Sequence, residues 1–447
     1  MKNDLTQGSV TKTMLRFAFP MIAGNLLQQC YNIADTLIVG RYIGVDALAA
    51  VGSTYTLMTF ITSILIGLCM GSGAVFSCCI GAKDDKKLKD SISTAFFLIG
   101  GVTLVINAIV IVFTDQILHL LQSPADIYGI MRDYVQVIFL GLIFVFLYNY
   151  FSFLLRAQGN SFIPLCFLAT AAFLNIGLDL LFVAVLHWGI RGAAFATILA
   201  QAVSGVGLWL YTWVKEPSLR PHWIRLGKQS DTFQQILHFS TASCIQQSVM
   251  NFGILMIQGL VNSFGTAVMA AFAAAVKIDS IAYMPAQEFA NAYSLFISQN
   301  HGAGDRERVR RGTKSAVVVS LCFCLIISIF VALAAPWLMQ FFIDADKVDI
   351  IAIGVSYLRI EGVFYCGIGL LFLLYGYYRG IGIPSMSLVL TVISLGTRVL
   401  LAYVLSPIPA IGATGIWCSI PIGWVLADIF GVAYMYILSR RQAKQSA

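Results

Sequence analysis

The sequence has 447 residues, of which 59% are hydrophobic and only 11% are charged. Because soluble globular domains carry about 25% charged residues, this composition excludes an ordinary soluble protein and predicts a polytopic membrane protein. The net charge of +7 does not indicate a nucleic-acid partner, since the basic residues are spread over short loops.

Twelve apolar segments are long enough to cross a bilayer as helices, which takes about 20 residues each. We therefore predict an all-α fold with twelve transmembrane helices. The predicted spans cover 14–39, 48–80, 91–114, 129–155, 163–186, 190–214, 233–262, 269–299, 314–335, 350–378, 385–405 and 411–438.

The basic residues also predict the topology. With the N-terminus inside, 21 of the 28 lysines and arginines fall on the inner side of the membrane, four fall outside and three lie within spans. This asymmetry follows the positive-inside rule. We expect a multi-pass protein of the plasma (inner) membrane with both termini in the cytoplasm.

A polar connection near the middle divides the chain into two halves. We predict an N-terminal six-helix lobe over 1–214, a cytoplasmic linker over 215–232 and a C-terminal six-helix lobe over 233–447. An even number of spans in each half gives the halves the same orientation, so an axis along the membrane normal would relate them.

Shifting the second half back by 221 or 223 residues aligns landmarks of the two halves, which indicates a duplication and two pseudo-symmetric bundles. The shift of 221 pairs Gly44 with Gly265 and Gly81 with Gly302, and the shift of 223 pairs Arg156-x-x-Gly159 with Arg379-x-x-Gly382.

The first span carries a polar stripe that ends in a carboxylate. Asn25, Gln28, Asn32 and Asp35 follow at spacings of three, four and three residues, which places them on one helix face. A carboxylate within a span costs roughly 2.5–3.5 kcal/mol and usually faces a wet cavity or the bundle interior, where it handles ions or protons. The alternative is an acid that only packs against a neighbouring helix or snorkels to the interface.

Spans five and six supply matching polar residues. Asn175 and Asp179 share one face of span five, and Thr197 lies at a similar depth in span six. Asp35 is also in the outer half of its span, so we expect these four side chains to converge in the N-terminal lobe. Such a group suits Na⁺, which prefers oxygen ligands, or a shared proton. Alternatively, Asn175 and Asp179 only hydrogen-bond neighbouring helices.

The second half lacks this group, because the same shifts pair Asp35 with Met256, Asn175 with Arg398 and Asp179 with Ala402. It has polar residues of its own. We predict a substrate cavity in which Glu288 attracts a cationic substrate, or else internal ion pairs among the charged residues of this half. The predicted cavity residues are Gln28, Asn32, Gln247, Asn251, Glu288 and Asn291.

The chain resembles the multidrug and toxic compound extrusion (MATE) family over nearly its whole length. The motifs that carry the resemblance are Asn25-Leu-Leu-Gln28-Gln29 and Asn32-Ile-Ala-Asp35 in span one, Arg156-Ala-Gln-Gly159, Gly189-Ile-Arg-Gly192 and His301-Gly-Ala-Gly304. The resemblance implies two six-helix bundles around a V-shaped cavity, alternating access, and a cation site at Asp35, Asn175, Asp179 and Thr197.

The two-lobe organisation predicts a secondary transporter, and the resemblance implies a secondary active efflux antiporter for small organic cations, driven by Na⁺ or H⁺. We expect it to have no cofactor and to be a monomer. The ten cysteines form no C-x-x-C pair, and no Walker A segment indicates ATP-driven transport. The alternatives are a lipid-linked glycan flippase of the same wider superfamily, a channel, and a membrane-embedded enzyme. An enzyme would need a catalytic dyad or metal cluster, which the sequence does not indicate.

Overall fold

The computed structural model describes residues 4–120, 125–222 and 230–445. Residues 223–229, the centre of the predicted linker over 215–232, lie outside the described residues, as do 1–3, 121–124, 446 and 447. Within the described ranges every regular element is helical.

The α-helices, in chain order, are α1 (Val10–Tyr42), α2 (Val45–Gly81), α3 (Asp85–Val112), α4 (Thr114–Leu120), α5 (Tyr128–Leu140), α6 (Leu142–Ala157), α7 (Phe162–Asp179), α8 (Gly189–Lys215), α9 (Ser230–Asn262), α10 (Thr266–Gly302), α11 (Arg306–Gln340), α12 (Val348–Val363), α13 (Tyr365–Gly380), α14 (Pro384–Leu405) and α15 (Ala413–Gln445). Ala125–Ile127 and Pro217–Leu219 are 3-10 turns, and Leu180–Val185 is a π-helical segment.

Nine helices in the described part of the chain are long and apolar enough to cross a membrane. Two bent pairs add one span each: α5 and α6 meet at 43°, and α12 and α13 meet at 53°. The remaining predicted span corresponds to α1, which has 33 residues and is long enough to cross a bilayer. Its polar stripe makes it less apolar than the other spans.

The two halves use the same local devices at aligned positions. Helices α2 and α10 both have 37 residues, and each follows a glycine with positive φ: 122° at Gly44 and 92° at Gly265. Glycine adopts such angles without the steric cost that a Cβ would impose. The bends fall at Gly141 and Phe364, which are 223 residues apart.

The next turn repeats a helix cap. The Asp84 carboxylate accepts the Lys87 backbone N–H at 2.9 Å at the start of α3, and Asp305 accepts the Arg308 N–H at 2.8 Å at the start of α11. Each cap satisfies a backbone donor that the first helical turn leaves unpaired. The spacing between the two caps equals the shift that the sequence indicated.

The backbone contacts divide the chain into two compact units whose boundaries fall inside helices. Unit 1 comprises Met1–Leu5 and Arg16–Cys244, and unit 2 comprises Thr6–Leu15 and Ile245–Ala447. The start of α1 therefore belongs to unit 2, where the Arg308 guanidinium donates to the carbonyls of Gln7 and Gly8 at 2.6 and 2.7 Å. The predicted lobes over 1–214 and 233–447 stay a prediction.

The first half of α9 packs backbone to backbone on α2 within unit 1. A Cβ added to Gly67 would lie 2.6 Å from Cys244 Cα, and one added to Gly71 would overlap the Phe239 carbonyl. The Ser72 and Ser240 hydroxyls pair at 2.8 Å beside this contact. Small residues allow such close helix approach in a membrane, where lipid offers no hydrophobic driving force between helices.

We expect Gly71→Ala to destabilise the protein by about 1–3 kcal/mol, because α9 must move away to accommodate the added methyl group. The measurement is the thermal unfolding midpoint of detergent-purified protein. Gly101→Ala is the matched control, since a Cβ at Gly101 meets nothing within 4 Å. Equal midpoints for the two variants would contradict the close contact.

Candidate functional site

The structure brings together the four residues that the sequence singled out in the first half. Asp35 lies on α1, Asn175 and Asp179 lie on α7, and Thr197 lies on α8, all within unit 1. Asn175 Nδ2 donates to Thr197 Oγ1 at 3.4 Å, and the Thr197 hydroxyl donates to the Ala193 carbonyl at 3.1 Å. The Thr197 oxygen therefore acts as an acceptor on the site side.

The Asp35 and Asp179 carboxyl groups lie close together. Two carboxyl groups can hydrogen-bond to each other only when one of them carries a proton, because ionised carboxylates are acceptors alone. Asp179 is fully buried and Asn175 is 2% exposed. Two uncompensated negative charges at this range would repel strongly, because the low dielectric of the interior screens them poorly.

The site is rich in acceptors and poor in donors. Within the described residues, no donor reaches Asp35 Oδ1, Asn175 Oδ1 or either oxygen of Asp179. Leaving a buried acceptor unsatisfied costs about 1–3 kcal/mol, and more for a charged group. An arrangement of this kind is stabilised by a positive species that enters it, either a proton or a hard cation such as Na⁺.

The local fold explains how α7 presents its two residues. Asn175 and Asp179 are four residues apart and so lie on one face of the helix. The α-helix ends at Asp179, where the backbone widens into the π-helical segment Leu180–Val185. Segments of this type occur frequently at functional sites. The sequence contained no signal for this wider turn.

Two tyrosines beside the carboxyl groups were missed from the sequence. Tyr134 on α5 is 6% exposed and lies near both Asp35 and Asp179. Tyr31 lies near Asp35. The spacing of four residues between Tyr31 and Asp35 could have identified the first partner. Tyr134 comes from a distant segment, and only the folded arrangement of α5 reveals it.

The predicted cavity residues are distributed over three helices. Gln28 and Asn32 lie on α1 in unit 1, whereas Gln247 and Asn251 lie on α9 in unit 2. The last two, on α10 in unit 2, contact each other, since Asn291 Nδ2 donates to Glu288 Oε1 at 3.2 Å. A common cavity that joins these residues stays a prediction.

A second buried polar group lies in unit 2. Asp279 on α10, Glu361 on α12 and Arg398 on α14 line one cavity, together with Tyr283 and Tyr357. Asp279 is 4% exposed and Glu361 is 1% exposed. Arg398 acts electrostatically on both carboxyl groups, but no direct ion pair joins it to either one in the described part of the chain. Arg398 therefore does not form the internal ion pair with Asp279 or Glu361 that the sequence analysis considered for this half.

Transition-metal chemistry finds no support in the donor set. The described ranges contain no group of three or more histidine, cysteine, aspartate or glutamate side chains that could hold a metal ion. The oxygen atoms around Asp35 instead match the ligands of a hard monovalent cation or the acceptors of a proton.

Comparisons with known proteins agree with the sequence resemblance. The MatE family profile matches residues 20–181 and 242–404, once in each half of the chain. The chain is 32% identical to the probable multidrug resistance protein YpnP of Bacillus subtilis, covering 88% of this chain and 87% of that protein. It is 24% identical to the probable multidrug resistance protein NorM of Thermotoga maritima, covering 98% and 94%.

Solved structures share the fold. An outward-facing multidrug resistance MATE family transporter of the MOP superfamily superimposes with a TM-score of 0.91 at 24% identity, over 98% of this chain and 97% of that one. A MATE structure in complex with MaD3S gives a TM-score of 0.90 at 24% identity, over 100% and 99%. The predicted all-α fold, with twelve membrane helices in two six-helix bundles, is confirmed.

The acceptor-rich site predicts that a cation or proton stabilises the fold. We expect the thermal unfolding midpoint to rise when Na⁺ replaces choline or when the pH falls from about 8 to about 6. Binding to the folded state alone stabilises it by about 2.7 kcal/mol at a concentration of about 100 times Kd. Asp179→Asn should abolish the response to Na⁺, because it removes one of the paired carboxyl groups.

The control for this experiment is Asp428→Asn, which neutralises another buried carboxyl group, one that lies outside the site. This variant should keep the wild-type response to Na⁺. A full response in the Asp179→Asn protein would show that the positive species acts elsewhere.

Proposed function

Because the chain belongs to the MatE family, we propose that it is a secondary active exporter that expels small organic cations in exchange for Na⁺ or H⁺. Membership of this family makes it a membrane transporter and not an enzyme. The curated relatives are named as multidrug resistance and multidrug export proteins, which supports multidrug efflux as the activity of this chain.

The observation that carries the coupling proposal is the facing pair of Asp35 and Asp179 with unsatisfied oxygens. A site without its own positive charge has a reason to take one from solution. The coupling ion would sit among the oxygens of Asp35, Asn175, Asp179 and Thr197. The site requires no organic cofactor, only the coupling ion.

Coupling then follows from linkage between two conformations. A cation or proton at Asp35 and Asp179 would favour one lobe arrangement, and a bound substrate would favour the other. Each ligand would shift the equilibrium only by its difference in affinity between the two states. Alternating access between the lobes turns this difference into exchange across the membrane.

We assign the substrate cavity to Gln28, Asn32, Gln247, Asn251, Glu288 and Asn291. Amides provide hydrogen bonds of both polarities, and the Glu288 carboxylate attracts cationic groups. A lipid-linked glycan flippase would call for a strongly basic cavity, which this set of residues does not provide. We further propose that the protein acts as a monomer in the plasma membrane with both termini in the cytoplasm, as the distribution of basic residues predicts.

Transport in proteoliposomes tests the coupling site. We expect Asp35→Asn and Asp179→Asn each to abolish uphill efflux of a cationic dye. A site that has lost one of its two carboxyl groups could no longer bind and release the coupling ion. Asp133→Asn is the control, since Asp133 pairs with Arg191 at an exposed position. Separate pH and Na⁺ gradients identify the driving ion. Uphill efflux by either site variant at wild-type rate would refute the mechanism.

Glu288→Gln tests the assignment of the substrate cavity. The change keeps the acceptor for Asn291 but removes the charge, so we expect cationic substrates to bind about tenfold more weakly, a loss of about 1.4 kcal/mol. Neutral substrates should bind as before. The measurement is a dye-binding titration with a cationic and a neutral probe, and an equal loss for both would remove Glu288 from charge recognition.

A further inference from the structure

We propose that Arg398 is a tethered cation that keeps the second polar group, in unit 2, from binding an exchangeable ion. The chain would then couple transport through the Asp35 and Asp179 site alone. This inference rests on the proposed function, because it concerns how many coupling ions the transporter can take.

Aligned positions connect the two polar groups. The shift of 223 residues that pairs the helix bends also pairs Asn175 with Arg398 and Tyr134 with Tyr357. Tyr134 lies beside the Asp35 and Asp179 pair, and Tyr357 lies beside Asp279 and Glu361. Two aligned residues therefore border a buried carboxyl pair in each unit, and the two pairs occupy equivalent places in the duplicated fold.

The carboxyl groups themselves are not copies of each other. Those of unit 1 come from α1 and α7, whereas Asp279 comes from α10 and Glu361 from α12. The positions in unit 2 that align with Asp35 and Asp179 hold Met256 and Ala402. The two carboxyl pairs therefore stand at positions that do not align. What differs in charge between the two groups is the aligned third residue, which is Asn175 in unit 1 and Arg398 in unit 2.

The residue at this aligned position, Asn175 or Arg398, determines the net charge of each polar group. The Asp279 and Glu361 carboxyl groups line one cavity and lie close together. The Asp35 and Asp179 carboxyl groups lie close together in unit 1. A carboxyl pair that shares one proton carries one negative charge. In unit 2 the Arg398 guanidinium supplies one positive charge and balances it. In unit 1 the neutral amide of Asn175 stands at that position, so the balancing charge must come from solution.

The surroundings make Arg398 the cation that serves this cavity. On α10, α12 and α14 the other lysine and arginine residues are exposed: Lys277 on α10 and Arg359 on α12, whose Nε points to the Ala332 carbonyl at 3.4 Å. Arg379 on α13 is buried but is not among the residues that line the cavity. The base of Arg398 packs close to Gly423 on α15, where an added Cβ would lie 3.5 Å from the Arg398 Cβ. Arg398 lines the cavity from this position.

The absence of a direct contact between Arg398 and the two carboxyl groups favours an ion site blocked by the guanidinium over an ion pair. Asp279 Oδ1, Glu361 Oε1 and Arg398 Nε each lack a hydrogen-bond partner within the described residues. The carboxyl oxygens thus still have free lone pairs, as the oxygens in unit 1 have. Repulsion from the guanidinium, rather than a shortage of ligands, would exclude a second cation.

Removal of Arg398 tests this inference as a gain of function. The probes are ²²Na⁺ binding at equilibrium and proton uptake on acidification, both measured on the full-length purified protein. Arg398→Asn places at this position the residue type that unit 1 has. We expect it to double the number of ions bound per protein, whereas Arg398→Lys keeps a positive charge and should bind as many as the wild type.

The Asp179→Asn background separates this inference from the proposed function. There the wild-type Arg398 protein should bind no coupling ion, and adding Arg398→Asn should restore binding of one. If Asp179→Asn alone still binds the ion, the proposed coupling site is wrong. If Arg398→Asn adds no Na⁺ or proton in either background, the inference about Arg398 is overturned.

A companion variant guards against loss of folding. Arg398→Asn leaves the carboxyl pair without its positive countercharge. A buried charge without its partner strongly destabilises the folded protein. Arg398→Asn combined with Asp279→Asn and Glu361→Gln removes all three ionisable groups, so it should fold and bind no additional ion. An additional ion in this triple variant would also overturn the inference, because it would not need the carboxyl pair.

Discussion

The fold depends on how a carboxylate is tolerated inside a membrane. A charged acid in a span costs several kcal/mol unless it meets a partner, a proton or water. Asp35 and Asp179 meet each other, which does not lower that cost while both are ionised. The oxygens of Asn175 and Thr197 belong to the same group, and no donor within the described residues reaches Asp35 Oδ1, Asn175 Oδ1 or either Asp179 oxygen. The demand for one positive charge is the property from which the proposed transport mechanism follows.

The rest of unit 1 holds these oxygens in place. The four-residue spacing on α7 places Asn175 and Asp179 on one face, and α8 holds Thr197 against them. Elsewhere in unit 1, α2 and the start of α9 pack backbone to backbone, and Gly67 and Gly71 leave no space for a side chain there. A rigid frame matters here because an ion site discriminates only if its ligands cannot collapse onto one another.

Much of this arrangement is readable in the sequence, and the parts that are not have a physical reason. The polar stripe, the Asn-x-x-x-Asp pair and Thr197 are local patterns on long apolar helices, where helical periodicity fixes the face. The duplication is visible because glycines and caps recur at a constant shift. Tyr134 and the π-helical segment after Asp179 are set by packing between distant helices, which no local pattern reports.

The boundaries of the two units are also set by packing between distant helices, so no local sequence pattern predicts them. Composition divides the chain at its polar connection, but contacts place the start of α1 with unit 2 and the start of α9 with unit 1. A long helix that spans two packing environments has one uninterrupted hydrophobic signal. Only the partners of each turn, such as Arg308 with Gln7 and Gly8, reveal where it changes unit.

Duplication also explains why the two units need not share a function. Each copy has the same helix cap and a bend at an aligned position, so each has an equivalent interior position that a polar group can occupy. Whether such a group exchanges ions depends on its charge balance, and one side chain decides it. In unit 1 the neutral Asn175 leaves a negative charge that a cation or proton from solution must neutralise. In unit 2 the positive charge of Arg398 neutralises it. A coupled carrier needs at least one open site, and a closed second site limits the ions moved in each cycle.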